Sequence, residues 1–407
     1  MITQSGGARP KNTYDVVIIG AGPAGSTAAY ILAANGFKVL IVDKSAFPRD
    51  KLCGGLLTFK SIQLLEEVFS MPLDMLKSRQ LINFQSCSFK VGNSTGACVN
   101  GQLNYPFHFV RRKDYDLYWL NMARAAGAEF KAADSVIALD PIRNQITTAK
   151  GQHYIGEVIF GADGALSRTR RWLSIKSFIE PNWKSGLAAT LEVQVPNRRF
   201  AGLPHCPAIY FGHIPWGYAW SFPGDRYRNL GVVGLSHRGG KHLKTGFASF
   251  LERFNISQQD LPAIRSHALP YGNYLSQPGY NKVLLLGDAC GLADPLLGEG
   301  IYYAHKSAVL AAGAVMKSFS RPQDILTRYS HDLIREVIAE LKVIRLARQI
   351  LFSMPANWKY KMLACLLRGL PRLCEETVQG QRSYRWFRPL PLDNKKRSGN
   401  SKAHSAL

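Results

Sequence analysis

Long apolar runs are missing from this 407-residue chain. No stretch of about 18 uninterrupted apolar residues occurs, which argues against a membrane-spanning helix. The N-terminus has no apolar segment of the secretory type, and a strand pattern already begins near Tyr14. A cytoplasmic location is therefore expected. The seven cysteines (53, 87, 98, 206, 290, 365 and 374) include no CxxC pair. An odd, scattered set argues against a disulfide framework or a cysteine zinc site and suits a reducing compartment. The ten histidines are scattered as well. Their nearest grouping, His205 and His213 with Cys206, lacks helical spacing and a supporting carboxylate, so no metal is expected. Internal repeats are absent, and at this length two or three domains are expected.

Acidic residues are scarce, 28 against 51 Lys and Arg, for a net charge of +23. The imbalance is concentrated at one end. From Lys342 onward there are fourteen basic residues and three acids, Glu375, Glu376 and Asp393. Such a patch fits an anionic partner such as a membrane surface, nucleic acid or a phosphorylated substrate.

What is present starts with glycine. Tyr14–Gly20 contains the apolar run Val16-Val17-Ile18-Ile19, the pattern of a strand buried on both faces. It leads into Gly20-Ala21-Gly22-Pro23-Ala24-Gly25, a helical pattern closed by Gly36, and a second strand, Lys38–Val42, ending at Asp43. Strand, GxGxxG, helix, strand and acid within about 30 residues form the dinucleotide fingerprint. Gly20 permits the tight turn, Gly22 lets a pyrophosphate approach the backbone, and Gly25 lets helix and strand pack closely. Asp43 is placed to accept from ribose hydroxyls. This motif alone does not separate NAD from FAD.

Two later segments make that choice. Val158–Phe160 is a short strand followed by Gly161-Ala162-Asp163-Gly164, with Ser167 and Arg170 beyond. Val283–Leu286 is another, followed by Gly287-Asp288-Ala289, Asp294-Pro295 and Gly298-Glu299-Gly300-Ile301. An acid at Asp288 can accept from ribityl hydroxyls. Amides at Gly300 and Ile301, at a helix N-terminus, can face an electron-rich flavin edge. In this order, and with Arg112, Tyr115-Asp116, Leu120 and Gly127-Ala128, the segments resemble the fingerprints of FAD enzymes built like aromatic hydroxylases. No second GxGxxG is present, so no separate NADPH-binding unit is visible.

Two further segments narrow the resemblance: Pro48-Arg49-Asp50-Lys51-Leu52-Cys53-Gly54-Gly55-Leu56, and Pro215-Trp216-Gly217-Tyr218-Ala219-Trp220-Ser221-Phe222-Pro223. The second fits P-x-x-Y-x-W-x-F-P at every fixed place. Both resemble the geranylgeranyl reductase family, flavoproteins that saturate isoprenoid double bonds, over roughly Tyr14 to Ile338. The resemblance implies that Gly25, Asp43, Cys53, Gly54, Arg112, Asp288, Gly300 and Ile301 fall on flavin contacts, with Leu56 and Val136 matching by count. Gly20, Gly22, Lys44, Gly55, Asp163 and Gly298 complete the candidate FAD set. Gly55, where the family often has an acid, and Glu299, where archaeal members tend to have Gly, are departures.

On a strand, Tyr218, Trp220 and Phe222 share one face. They form an apolar wall that, with Tyr210 and Trp216, is the expected substrate contact; the bland alternative is ordinary sheet core. Cys53 lies between Arg49, Lys51 and two glycines, a setting that favours a reactive thiol; the alternative is a small buried apolar residue that packs on the flavin. Cys53, Tyr218 and Trp220 are the candidate catalytic residues.

The expected architecture is a discontinuous Rossmann-like FAD domain (12–84, 109–176 and 281–320), an antiparallel-sheet substrate domain (85–108 and 182–280), a helical region (324–390) and a flexible basic tail (391–407). In the helical region Leu333, Val337, Leu341 and Ile344 recur at helical steps, as do Trp358, Met362 and Leu366, with basic residues between. Those helices either cap the core or rest on anionic lipid at the inner face of the membrane. The leading expectation is reduction of a C=C bond in an isoprenoid lipid, with NADPH or a ferredoxin-like protein as electron donor and no nucleic acid partner. The alternatives are a flavin monooxygenase or halogenase, and a flavin-binding module without turnover.

Overall fold

The structure, a computed structural model, describes residues 12–177, 183, 186–197, 200, 202–238 and 240–385. The basic tail expected at 391–407 lies outside the described residues. Two sheets organise the chain. The first runs in spatial order β15 (Gly279–Tyr280), β16 (Val283–Leu285), β9 (His153–Gly161), β1 (Thr13–Ile19), β2 (Val39–Val42) and β6 (Glu129–Lys131). A hairpin, β7 (Val136–Asp140) and β8 (Gln145–Thr148), joins it through β9. The apolar run of β1 is buried throughout Val16–Ile19, and its neighbours β2 and β9 are both parallel to it, with Val16 opposite Val39 and Val158. β16 continues the parallel order, Val283 opposite Ile159.

Helices α1 (Pro23–Ala34), α4 (Arg112–Ala125) and α7 (Ile301–Ser318) pack together beside this sheet, while α2 (Phe59–Phe69) and α3 (Leu73–Ser78) lead towards the second. His305 of α7 bridges the other two helices. Its Nδ1 lies 2.6 Å from Thr27 Oγ1 and its Nε2 lies 2.8 Å from Tyr115 Oη. Burial pushes its pKa from 6.5 down to about 3. The unfolded chain therefore binds more protons between those values, and stability rises with pH across that window. This contribution is fully present above about 6.5 and is lost as the pH falls towards 3, at about 1.4 kcal/mol per pH unit. Burial acts in the same direction on His108, His213 and His267. Urea midpoints measured from pH 7 to pH 5 should fall steeply, and less steeply in His305→Gln; parallel slopes would contradict the assignment.

The second sheet runs β14 (Arg265–Pro270), β10 (Leu187–Pro196), β13 (Tyr227–Leu235), β12 (Gly217–Phe222), β11 (Ala208–Phe211), β4 (Ile82–Asn93), β5 (Cys98–Val110) and β3 (Leu56–Leu57). It is antiparallel, as expected, except that β11 and β4 pair parallel. The boundaries expected near 84 and 109 fall inside strands, because β4 and β5 form one long hairpin of the second sheet. Leu56 also belongs here, opposite Phe109. Helix α6 (Leu243–Glu252) covers one face through Phe247 and Phe250.

The opposite face meets the C-terminal helices. After α5 (Arg168–Ile175) and α8 (Ile325–Leu333) come α9 (Ala339–Ser353), α10 (Ala356–Gly369) and α11 (Pro371–Gln379). Leu351, Phe352, Met362, Leu363 and Leu367 pack with Phe211, Tyr218 and Trp220. Glu375 of α11 anchors the group, accepting from the Asn104 amide at 2.6 Å and its side chain at 2.7 Å. Among the described residues, no helix is long and apolar enough to cross a membrane.

Candidate active site

The glycine turn between β1 and α1 is built for close approach. A Cβ on Gly25 would lie 1.9 Å from the Gly20 carbonyl oxygen, so helix and strand touch there. Gly22 differs: the nearest atom to its Cβ position is an Arg49 guanidinium nitrogen at 3.7 Å. The space above Gly22 is free, with the N-terminus of α1 beneath it and a cation beside it, the arrangement a pyrophosphate requires. Asp43 fixes the turn, accepting from the Ala21 amide at 2.7 Å and the Ser45 amide at 2.8 Å. Lys44 is exposed beside it. The Asp134 amide donates to the Asp43 carbonyl, which brings the buried Val136 to this end of the sheet.

A cationic group lines the next stretch. Arg112, the first residue of α4, holds Asp116 bidentately at 2.7 and 2.8 Å, and Arg49 meets the same carboxylate at 3.1 Å. Burial disfavours the Arg112 charge, but Asp116 and the Cys53 sulfur more than reverse this and hold its pKa up. Lys51 hydrogen-bonds His267 of β14. Burial, reinforced by Arg112, lowers the Lys51 pKa to about 8, against an opposing pull from Asp288 and Cys53. Burial raises the Asp288 carboxyl, while Lys51, Arg112 and Arg170 hold it down. Cys53, Lys51, Arg112 and Asp288 therefore share one cleft, although the sequence separates them widely. The Cys53 sulfur also accepts from the Gly55 amide at 3.3 Å.

The second sheet supplies the far wall. Tyr218, Trp220 and Phe222 stand on one face of β12, with ring centroids 6.1 and 6.2 Å apart in succession. Phe222 presses on the cysteine turn, 2.5 Å from where a Gly54 Cβ would be. Tyr218 donates to the Leu297 carbonyl at 2.6 Å, next to Gly298. The Trp220 indole N–H donates to Asn229 at 2.5 Å, and Asn229 donates in turn to Glu192 at 3.0 Å. The wall is thus pinned between the Cys53–Gly55 turn and the 298–300 turn, where α7 begins. Asp288 Oδ1 lies 3.3 Å from the Gly300 Cβ position, so these two share that corner.

Several expected residues lie elsewhere. Tyr210 pairs with Ala219 in the β11–β12 register and therefore faces α6, with its ring 5.6 Å from that of Phe250. Phe211, the next residue, lies on the Tyr218 side instead, packed between Tyr218 and Phe352. Trp216 sits beyond the wall against Phe352, 6.1 Å between centroids. Asp163 caps α5: it accepts from Ser167 Oγ at 2.5 Å and from the Arg168 and Thr169 amides at 2.8 and 3.0 Å. That carboxylate is committed to the helix end. Glu299 is likewise engaged, ion-paired with Lys60 at 2.6 Å and accepting from Thr58 at 2.7 Å. Sequence reasoning missed Arg49, Lys51, His267, Asn229 and Glu192. For the first two the basic flanks of Cys53 were a signal; for the others there was none.

A parallel nucleotide-binding sheet, a free glycine cradle and a cleft closed by a second sheet define a two-domain FAD-dependent oxidoreductase. An FAD binding domain model matches residues 13–70. An uncharacterized protein of Methanosarcina barkeri is 30% identical over 339 residues, 79% of this chain and 80% of that one. A digeranylgeranylglycerophospholipid reductase of Methanococcoides burtonii is 27% identical, covering 81% of this chain and 82% of its own. Among solved structures, a geranylgeranyl bacteriochlorophyll reductase-like protein from Thermoplasma acidophilum superposes with a TM-score of 0.77 at 20% identity, over 90% of this chain and 99% of that one. The flavin-dependent brominase Bmp2 gives 0.65 at 20% identity, over 88% and 92%. The fold is shared with both a reductase-like protein and a brominase, and the named sequence relatives are reductases. The chain belongs to the geranylgeranyl reductase family of FAD-dependent oxidoreductases.

Proposed function

We propose that the protein saturates C=C bonds of an isoprenoid lipid. The observation that carries this reading is the Tyr218–Trp220–Phe222 wall, which closes the cleft between the cysteine turn and the 298–300 turn. In this reading Gly20, Gly22 and Gly25 with Arg49 hold the FAD pyrophosphate, Asp43 the adenosine ribose, Asp288 the ribityl chain, and the Gly300 and Ile301 amides the flavin edge. Bound FAD, once reduced, would supply hydride to one carbon of the double bond, and a proton from solvent would complete the other. Trp220 keeps the prenyl chain flat against the cleft, its indole fixed by Asn229, and Arg112 orients Cys53 beside the reacting carbon.

Anaerobically reduced protein should be reoxidised by a geranylgeranyl lipid, with product mass rising by about two per bond saturated. A requirement for oxygen, with an oxygen or halogen gained by the product, would overturn the reading.

A lipid substrate also explains the outer side of the C-terminal helices. Leu346, Ile350, Trp358, Leu366 and Leu370 are exposed there among Lys342, Arg345, Lys361, Arg368 and Arg372. Nearby acids are engaged elsewhere: Glu340 with Ser383 and Tyr384, Glu375 with Asn104, and Glu376 with Arg382. This side rests on anionic lipid in the proposed function. Lys361→Glu with Arg368→Glu should weaken binding to phosphatidylserine vesicles roughly tenfold or more, an effect that fades with salt. Unchanged binding would remove the membrane contact.

A further inference from the structure

The two turns that pin the aromatic wall are tied to each other behind it. Glu299, in the 298–300 turn, accepts from Thr58 Oγ1 at 2.7 Å and from Ser61 Oγ at 3.3 Å. Thr58 is the N-cap of α2 and follows closely on the Cys53–Gly55 turn. Lys60, in the first turn of α2, completes the link, its Nζ 2.6 Å from Glu299 Oε2. The ammonium then reaches α7. It lies 4.6 Å from the centre of the Tyr302 ring and 4.7 Å from that of Tyr303, and donates to Tyr303 Oη at 3.4 Å. Both tyrosines belong to the first turn of the helix that Gly300 and Ile301 begin.

Water has little access to this pair. The side chains of Lys60 and Glu299 are 14% and 11% exposed. The C-terminal region forms the roof: a Cβ on Gly380 would lie 2.3 Å from Lys60 Cδ, and Gln379 accepts from the Phe59 amide at 2.8 Å. The neighbouring acid, Asp294, is spent inside its own turn, on the Leu296 and Leu297 amides at 2.7 Å each. Burial disfavours the Lys60 charge, but Glu299 more than reverses this and holds its pKa well above the usual lysine value. One anion and one cation therefore stand side by side at the start of α7, in a medium that would screen either of them poorly if it stood alone.

We propose that Glu299 and Lys60 are positioning residues for the flavin: their tie fixes the turn that carries the Gly300 and Ile301 amides, and the balance of their charges sets how readily the bound flavin accepts electrons. This role rests on the flavin edge lying against those amides, as read above, and not on the identity of the substrate. Reduced flavin carries negative charge at that edge, so an added cation there favours reduction and an added anion opposes it. The intact pair does neither; each half alone would.

The test is the midpoint potential of the FAD-loaded protein at pH 7, from an anaerobic spectroscopic titration. Glu299→Gln keeps the shape and an acceptor for Thr58 but leaves the Lys60 ammonium uncompensated, so the potential should rise. Lys60→Met leaves the Glu299 carboxylate with only Thr58 and Ser61, so the potential should fall. Each shift should match a change of roughly tenfold or more in the ratio of affinities for reduced and oxidised FAD, about 30 mV for a two-electron couple. The double variant should return close to the wild type, since removing both partners of a buried pair is tolerated better than removing one. If Lys60→Met does not fold, the fall from Glu299→Gln to the double variant reads the same charge. A purely structural tie would move both single variants the same way or neither of them, and either result overturns the proposal. Asp288→Ala checks the flavin's place separately, and should weaken FAD binding roughly tenfold or more. Weakened binding there with unmoved potentials in the pair variants rejects the charge pair alone. Unchanged binding with unmoved potentials rejects the placement of the flavin as well.

Discussion

Gly25→Val should yield protein without bound FAD, less stable by about 3 kcal/mol or more. The Cβ position at Gly25 lies 1.9 Å from the Gly20 carbonyl oxygen and 3.2 Å from Ile18. Both first contacts are backbone, so no side chain can rotate away. Relief requires α1 to leave β1, which opens the cradle above Gly22 and breaks the bond from Ala21 to Asp43. Overpacking at yielding sites costs about 1–3 kcal/mol, and this site does not yield. Flavin absorbance of the purified protein and its urea midpoint provide the measurements. Gly313→Ala is the control: nothing lies within 4 Å of its Cβ position inside α7, so helix propensity should stabilise it by up to about 1 kcal/mol with FAD retained. A fully yellow Gly25→Val protein would show that the turn is looser than described.

Trp220→Ala should slow reoxidation of the reduced protein by lipid roughly a hundredfold while leaving reoxidation by oxygen within a few fold. Oxygen needs no positioning by the wall; a prenyl chain does. Removing the indole deletes the centre of the wall and leaves Asn229 without its donor. Trp220→Phe separates the two effects, since it keeps an aromatic face and loses only the anchoring bond. It should fall between the wild type and Trp220→Ala. If both oxidants slow equally, Trp220 supports the fold and not the substrate.

The parts of the cleft that were legible in the sequence are those set by local rules. A four-residue apolar run followed by GxGxxG and a helical pattern marks a central strand and its turn, and alternation alone puts Tyr218, Trp220 and Phe222 on one side. Tyr210 shows where such rules end. Its side of the sheet depends on the pairing with Ala219, and no feature within β11 states that register. Asp163 fails differently. A strand ending in Asp-Gly serves a cofactor or a helix cap equally well, and only Ser167 folding back onto the carboxylate decides it. Lys51 with His267, and Asn229 with Glu192, are pairs between distant strands, invisible until the second sheet is built. The helical region was read correctly in character, and Pro371 at the first position of α11 separates that helix from α10.

The first sheet is completed only late in synthesis. Strands β1 and β2 are complete by Val42, β9 ends at Gly161, and β16 starts only at Val283. At about 5–20 residues per second, roughly ten seconds to a minute separate the first half of the cofactor cradle from the last. Throughout that interval the nascent chain presents the N-terminal turn without the Asp288 corner and without α7. It also exposes a bare edge of β1 until β9 emerges, a template for pairing with a neighbouring chain. Cellular FAD has little to grip before His305 can slot between Thr27 and Tyr115. The cofactor cradle is therefore complete only on a nearly finished polypeptide.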